Sequence, residues 1–215
     1  MIDYLLRIVP AILVILNPFG AALIFVSLTA GDEPRELGVK AERTAFATAV
    51  TLIVFMFLGR FIFQLFHVTL DAFRIAGGVL IFGVGMSMIR GQHPKAKITE
   101  KERYEVIERE DITIIPMAIP VLSGPGAIAT VMVFRANAQT WQQLVALIGA
   151  VLFASLATFF VLRYSHELVR RFGKTSLRII TRIMGLLVVT LSVQFIISGT
   201  ENVLRHLLES VRTGL

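Results

Sequence analysis

Cysteine is absent from this chain of 215 residues, which removes disulfide frameworks, thiolate metal sites and cysteine nucleophiles together. Membrane thiol-redox carriers go with them. Charge is scarce as well. Asp, Glu, Lys and Arg make up 17% of the residues. A soluble domain carries about 25%. No Asp or Glu lies deep in an apolar run, and none of His67, His93, His166 or His206 does. An intramembrane carboxylate or histidine is the usual proton relay, so any proton coupling must use something less obvious. Ser123-Gly124 faintly resembles a nucleophile turn, but no base at membrane depth can serve it. Metal-ligand clusters at useful spacing are also missing. The chain is therefore expected to be no enzyme and to need no cofactor or metal.

What is present is apolar. Hydrophobic residues account for 55% of the chain. Mean hydropathy is +0.76. Six runs contain no charge: 8–31, 44–59, 75–89, 112–134, 136–162 and 183–200. A helix needs about 20 apolar residues to cross a bilayer. These runs predict an all-α membrane protein with six transmembrane helices. The expected spans are about Leu5 to Thr29, Thr44 to Phe66, Phe73 to Ile89, Ile112 to Phe134, Trp141 to Leu162 and Ile183 to Ser198. Residues 31–43 and 163–182 read as charged connections. Residues 90–111 read as the longest polar loop, with a solvated amphipathic helix over 98–111. Asp3 and the length of the first run argue against a cleaved signal peptide, so the first helix is expected to stay.

The net charge of +6 would point to nucleic acid in a soluble chain. Here the basic residues sit between apolar runs, so no nucleic-acid partner is expected, and the bilayer itself is the partner. Loops 1–2, 3–4 and 5–6 carry 15 of the 21 Lys and Arg. Basic loops stay cytoplasmic. The prediction is a cell inner (plasma) membrane protein with both termini outside the cytoplasm.

The two halves align without a gap. A shift of 107 lays 14–54 over 121–161 and pairs Val14 with Val121, Pro18 with Pro125, Ala22 with Ala129 and Val26 with Val133. These four matches recur every four residues, as one helix face would. A shift of 108 pairs Arg74 with Arg182, Gly77 with Gly185 and Gly91 with Gly199. Repeat one covers about 5–89 and repeat two about 112–199, within a single transmembrane domain over 1–215. Three helices per unit is an odd number, so the second unit is inverted relative to the first. Secondary transporters recurrently place their sites at the midplane of inverted repeats.

Each unit carries a helix breaker near the middle of its first span. These are Asn17-Pro18-Phe19-Gly20 and Ser123-Gly124-Pro125-Gly126. Proline breaks or kinks a helix interior. Asn or Ser followed by Pro also starts a new helix, as cap and first-turn residue. Both spans are therefore read as discontinuous, with half-helices beginning at Pro18 and Pro125. Pro116 and Pro120 add irregularity to the fourth span. A plain packing kink would explain either motif alone; the symmetric pair favours the broken helix. Helix N-termini attract anions, including the carboxylate of an amino acid. The candidate substrate-binding residues are Asn17, Pro18, Gly20, Ser123, Gly124, Pro125 and Gly126. Arg74, Arg182 and Gln194 are candidate gate or cavity residues; snorkelling of the arginines and a packing hydrogen bond from Gln194 are the alternatives. Asp71 stands one helical turn before Arg74, an ion-pair spacing. Ser87 and Ser192 read as packing residues.

Five motifs in order resemble the MarC family of bacterial and archaeal integral membrane proteins. They are Asn17-Pro18-Phe19-Gly20, Phe73-Arg74-Ile75-Ala76-Gly77-Gly78, Pro116-Met117-Ala118-Ile119-Pro120, Ser123-Gly124-Pro125-Gly126-Ala127-Ile128 and Thr181-Arg182-Ile183-Met184-Gly185-Leu186. The resemblance implies a six-helix inner-membrane protein classed with small neutral amino acid transporters. It brings no list of functional residues. Together with the repeat, it leads to the expectation of a secondary transporter of small neutral amino acids or similar solutes by alternating access. A non-transporting scaffold or sensor, a channel, and a carrier of a different small anion stay open, as does a homo-oligomer.

Overall fold

The computed structural model describes residues 2–91, 117–118 and 121–213. Its regular elements are helices: α1 (Ile2–Leu16), α2 (Pro18–Leu28), α3 (Pro34–Leu65), α4 (Leu70–Ile89), α5 (Pro125–Asn137), α6 (Trp141–Arg163) and α7 (Ser165–Thr213). Among the described residues, five segments are long and apolar enough to cross a membrane: Ile2–Leu28, Pro34–Leu65, Leu70–Ile89, Trp141–Arg163 and Ser165–Arg205. The all-α membrane class expected from the charge-free runs is the one observed.

The fourth expected span, Ile112 to Phe134, is not one continuous helix among the described residues. Its second part is α5, whose 13 residues cover about 20 Å, short of a hydrocarbon core about 30 Å thick. Ahead of α5, the Ser123 N–H donates to the Ala118 carbonyl five residues back, at 2.8 Å. That is a wider turn than an α-helix makes. The expected polar loop lies outside the described residues from 92 onward, as do Pro116 and Pro120.

Two charged connections turn out to be helical. α3 begins at Pro34 rather than near Thr44, with Glu33 extended before it. The chain turns at Gly31, φ 102°, and a Lys40–Asp32 ion pair of 2.6 Å ties the turn to the helix. The segment after Arg163 is helical from Ser165, bending at Gly173 with φ 74°. Glu167 pairs there with Arg170 and Arg171. Charge marks where a helix leaves lipid, not where the helix ends. Pro34 at the first turn and the ion pairs one turn apart are all compatible with helix.

Large apolar side chains such as Phe46, Phe61, Phe153 and Leu186 are more than half exposed. Such a surface suits lipid rather than water. The interior combines large buried side chains such as Phe25, Ile12, Leu52 and Leu147 with smaller groups, including Ala41, Ala49, Ala150, Ala154, Thr48 and Thr158. Buried threonine hydroxyls bond the carbonyl four residues back: Thr48 to Thr44, Thr130 to Gly126 and Thr158 to Ala154, each at 2.8 Å. These hydroxyls are thereby satisfied without water, as a bilayer requires.

Three contacts fix directions. α4 and α7 run antiparallel, because Gly199 meets Asp71 at one end and Gly185 meets Ile89 at the other. The Arg74 guanidinium bonds Asn137, so α5 ends where α4 begins. Thr29 Oγ1 lies 3.0 Å from His166 Nε2, so α2 ends at the opposite end of the bundle, beside the start of α7.

Candidate substrate-binding site

The break in the first span is real and its cap is local. Asn17 adopts a left-handed conformation, φ 47° and ψ 61°, and its side chain accepts from the Gly20 N–H at 3.2 Å. A left-handed residue costs a side chain with Cβ roughly 1–2 kcal/mol, and Asn tolerates it best after Gly. Pro18 follows at the first helical position, where no N–H is needed. Gly20 is buried directly against the Asn17 amide, so a Cβ there would collide with the cap.

The second break is built differently. The N-cap of α5 is Gly124, extended at φ −64° and ψ 172°, and no side chain caps the helix. Ser123 is buried and not the cap expected of it; its hydroxyl donates to the Thr48 carbonyl of α3 at a long 3.4 Å. The glycine takes the cap position because Pro125 sets the first turn, which leaves Ser123 one residue too early. The N–H groups of an uncapped first turn stay available to a ligand.

The fold brings the two breaks together. A Cβ on Gly126 would lie 3.8 Å from Cδ1 of Ile15, two residues before Asn17, and 3.5 Å from Ile81 at the middle of α4. α5 therefore starts near mid-depth beside the end of α1, and α2 starts there too. From that level the two half-helices run to opposite ends of the bundle. Pro18 and Gly20 are buried, Asn17 and Gly124 are half-buried, and Pro125 is exposed.

The remaining candidates sit apart from the breaks. Arg74 belongs to a network at the start of α4. Its guanidinium donates to Asp71 Oδ1 at 3.0 Å and also to Asn137, while Asn202 Nδ2 donates to the same Asp71 oxygen at 2.9 Å. Asn137 and Asn202 were invisible to sequence reasoning, since an isolated Asn at a helix end carries no spacing signal. Arg182 is exposed at the other end of α4, with Nη2 3.2 Å from a Cβ placed on Gly91. Gln194 is exposed on α7 and donates from Nε2 to Ser198 at 3.3 Å. Grooves of about 570 Å³ between α1 and α6 and about 330 Å³ between α3 and α6 are lined mainly by apolar side chains. A recess of about 270 Å³ lies between α3 and α5. Residues of the two breaks line none of these three. Among the described residues, no group of three His, Asp or Glu is placed to hold a metal ion.

Comparison with known proteins gives one consistent answer. Residues 2–204 match the profile described as MarC family integral membrane protein. A UPF0056 membrane protein of Methanocaldococcus jannaschii is 35% identical over 94% of this chain and 98% of its own. One from Aquifex aeolicus is 34% identical over 91% of this chain and 92% of its own. The UPF0056 membrane protein YhcE of Escherichia coli is 34% identical, over 90% of each chain. No solved structure matches the chain.

Proposed function

The chain belongs to the MarC family of integral membrane proteins, and we propose that it is a secondary transporter of small neutral amino acids, built as two inverted repeats. The observation that carries the proposal is the meeting of two opposed half-helices at mid-depth. The first turn of α5 lies there against Ile15 of α1, two residues before the Asn17 cap of α2, so both half-helices start at this level. Two positive helix ends suit a carboxylate, and among the described residues no acid or base is fixed beside them, which suits a solute with no net charge.

The repeat reading draws support from element positions. α2 and α5 begin at Pro18 and Pro125, and α3 and α6 at Pro34 and Trp141, each pair 107 apart. The contact of Arg74 with Gly199 has a counterpart, 108 residues shifted, in that of Arg182 with Gly91. Rocking of one repeat against the other would then open the site to each side in turn, with both termini outside the cytoplasm.

Counterflow in proteoliposomes tests the proposal. Vesicles loaded with unlabelled alanine or glycine should transiently accumulate the labelled amino acid without an ion gradient. Gly126→Val should abolish the accumulation, because only ordinary contact distances surround that glycine and the added methyl groups would fill the space at the helix end. The assignment fails if the folded variant exchanges as fast as the wild type, or if the wild type exchanges no neutral amino acid.

A further inference from the structure

Next to Gly59, two cations share one recess. A Cβ on it would meet Met132 Cγ at 2.9 Å, so α3 and α5 are drawn close at that point. Arg60 follows Gly59 directly, and Arg135 stands one turn beyond Met132. Both arginines line the recess of about 270 Å³ between these helices, with Met56, Phe63 and Met132 as its apolar wall. Neither arginine makes an ion pair among the described residues. The acid with a described ion pair at this end, Asp71, is already bonded by Arg74 and Asn202.

Two like charges facing one recess repel unless something neutralises them. Snorkelling to water explains a single interfacial arginine, but it does not require two helices to aim theirs at one recess. The other end of the bundle shows that the arrangement is not a demand of the fold. The positions 107 residues from Arg60 and Arg135 are Glu167 and Leu28, and Glu167 is paired with Arg170 and Arg171. On α3, Phe57, Phe61 and Leu65, within five residues of Arg60, are exposed apolar side chains.

We propose that Arg60 and Arg135 form a binding site for a phosphate monoanion, the group shared by an anionic phospholipid headgroup and a free phosphate. A forked guanidinium matches phosphate oxygens with two parallel hydrogen bonds. Basic pockets between transmembrane helices hold lipid headgroups in this way. The site is separate from the helix breaks and does not depend on transport; only the comparison with Glu167 and Leu28 rests on the repeat of the proposed carrier.

The test uses the full chain and has two arms. In the first, the protein is exchanged into phosphatidylcholine nanodiscs containing phosphatidylglycerol, and retained lipid is counted by native mass spectrometry. In the second, delipidated protein in neutral detergent is titrated with inorganic phosphate while its unfolding temperature is followed. Arg60→Gln/Arg135→Gln should weaken the response in the arm that operates by about tenfold or more, the scale of losing charge-assisted hydrogen bonds. Arg60→Lys/Arg135→Lys, which keeps the charge but loses the fork, should fall between. Arg205→Gln removes one charge from an exposed pair with Glu201 and should change nothing. Selective phosphatidylglycerol retention identifies the lipid, and stabilisation by phosphate alone identifies the free anion. Equal behaviour of the wild type and the glutamine pair in both arms overturns the proposal and leaves snorkelling as the explanation.

Discussion

Gly85 of α4 and Gly185 of α7 lie against each other where the two helices cross, and a Cβ on either would stand 3.0 Å from the carbonyl oxygen of the other. The contact is backbone on backbone, so neither side can give way by turning a side chain. In a bilayer, helices gain little from hiding apolar surface from lipid; close van der Waals packing holds them. Gly78 against the Ser192 carbonyl and Gly199 against the Asp71 carbonyl, both at 2.9 Å, extend the same antiparallel seam.

Valine at either central glycine should therefore destabilise the protein by at least about 1–3 kcal/mol, the usual range for overpacking. Gly83→Val is the matched control, because nothing lies within 4 Å of a Cβ at that position on the same helix. Thermal unfolding in detergent should rank Gly85→Val and Gly185→Val far below the wild type, with Gly83→Val beside it. Equal melting of all four proteins would show that the seam has room for a side chain.

Asn17 answers two demands, a left-handed backbone and a cap for α2. Asn17→Gly keeps the first and loses the second, which costs a few tenths of a kcal/mol for a capping residue. Asn17→Ala loses both, and the sum of about 1 kcal/mol for the cap and about 1–2 kcal/mol for the backbone is expected. Stability should fall in the order wild type, glycine, alanine. An alanine variant as stable as the glycine variant would mean that the backbone at Asn17 is not strained for an ordinary residue.

The Asp71 network offers a third measurement. The side chains of Arg74 and Asp71 are only 12% and 18% exposed, so their pairing is not a screened surface contact. Asp71→Ala leaves Arg74 half-buried without its carboxylate and removes the acceptor of Asn202. A loss of about 1.5–3 kcal/mol is expected, the range for hydrogen bonds to charged groups. Adding Arg74→Ala should cost less than the single variants together, since the two side chains act as one unit. Additive losses would show that the pair does not interact in the folded protein.

Much of this was legible in the residues. The break at Asn17 and Pro18 could be read because proline fixes the backbone and removes a donor, whatever surrounds it. The start of α5 at Pro125 followed for the same reason. The role of Ser123 was not legible, because its acceptor is a main-chain carbonyl of α3, 75 residues away and silent in a side-chain sequence. From the sequence, the helical stretches Pro34–Arg43 and Ser165–Arg182 read as connections, because a cluster of charge resembles a stop signal. In a membrane protein charge sets the depth of a helix, and its ends are set by caps such as the Thr140–Gln143 pair at α6. The pairing of Arg60 with Arg135 was hidden too. It depends on Gly59 meeting Met132, a contact between segments with no shared pattern.

The absence of cysteine makes the direction of the half-helices directly measurable, because a single introduced thiol is the sole target for a labelling reagent. The bond between Arg74 and Asn137 places the α3–α4 and α5–α6 connections at one end of the bundle. The contact of Thr29 with His166 places the α2–α3 connection and the start of α7 at the other. Val68→Cys and Gln139→Cys should react with an impermeant maleimide from the same side of the membrane. Glu33→Cys and Arg171→Cys should react only from the opposite side. All four positions are exposed, so access is not limited by packing. The end bearing Arg35, Lys40, Arg43, Arg170, Arg171 and Lys174 is the basic one and should be cytoplasmic. The informative residue is Gln139. Labelling of Gln139→Cys together with Glu33→Cys would mean that α5 does not run counter to α2, and the opposed half-helices at the centre of the proposed site would be lost.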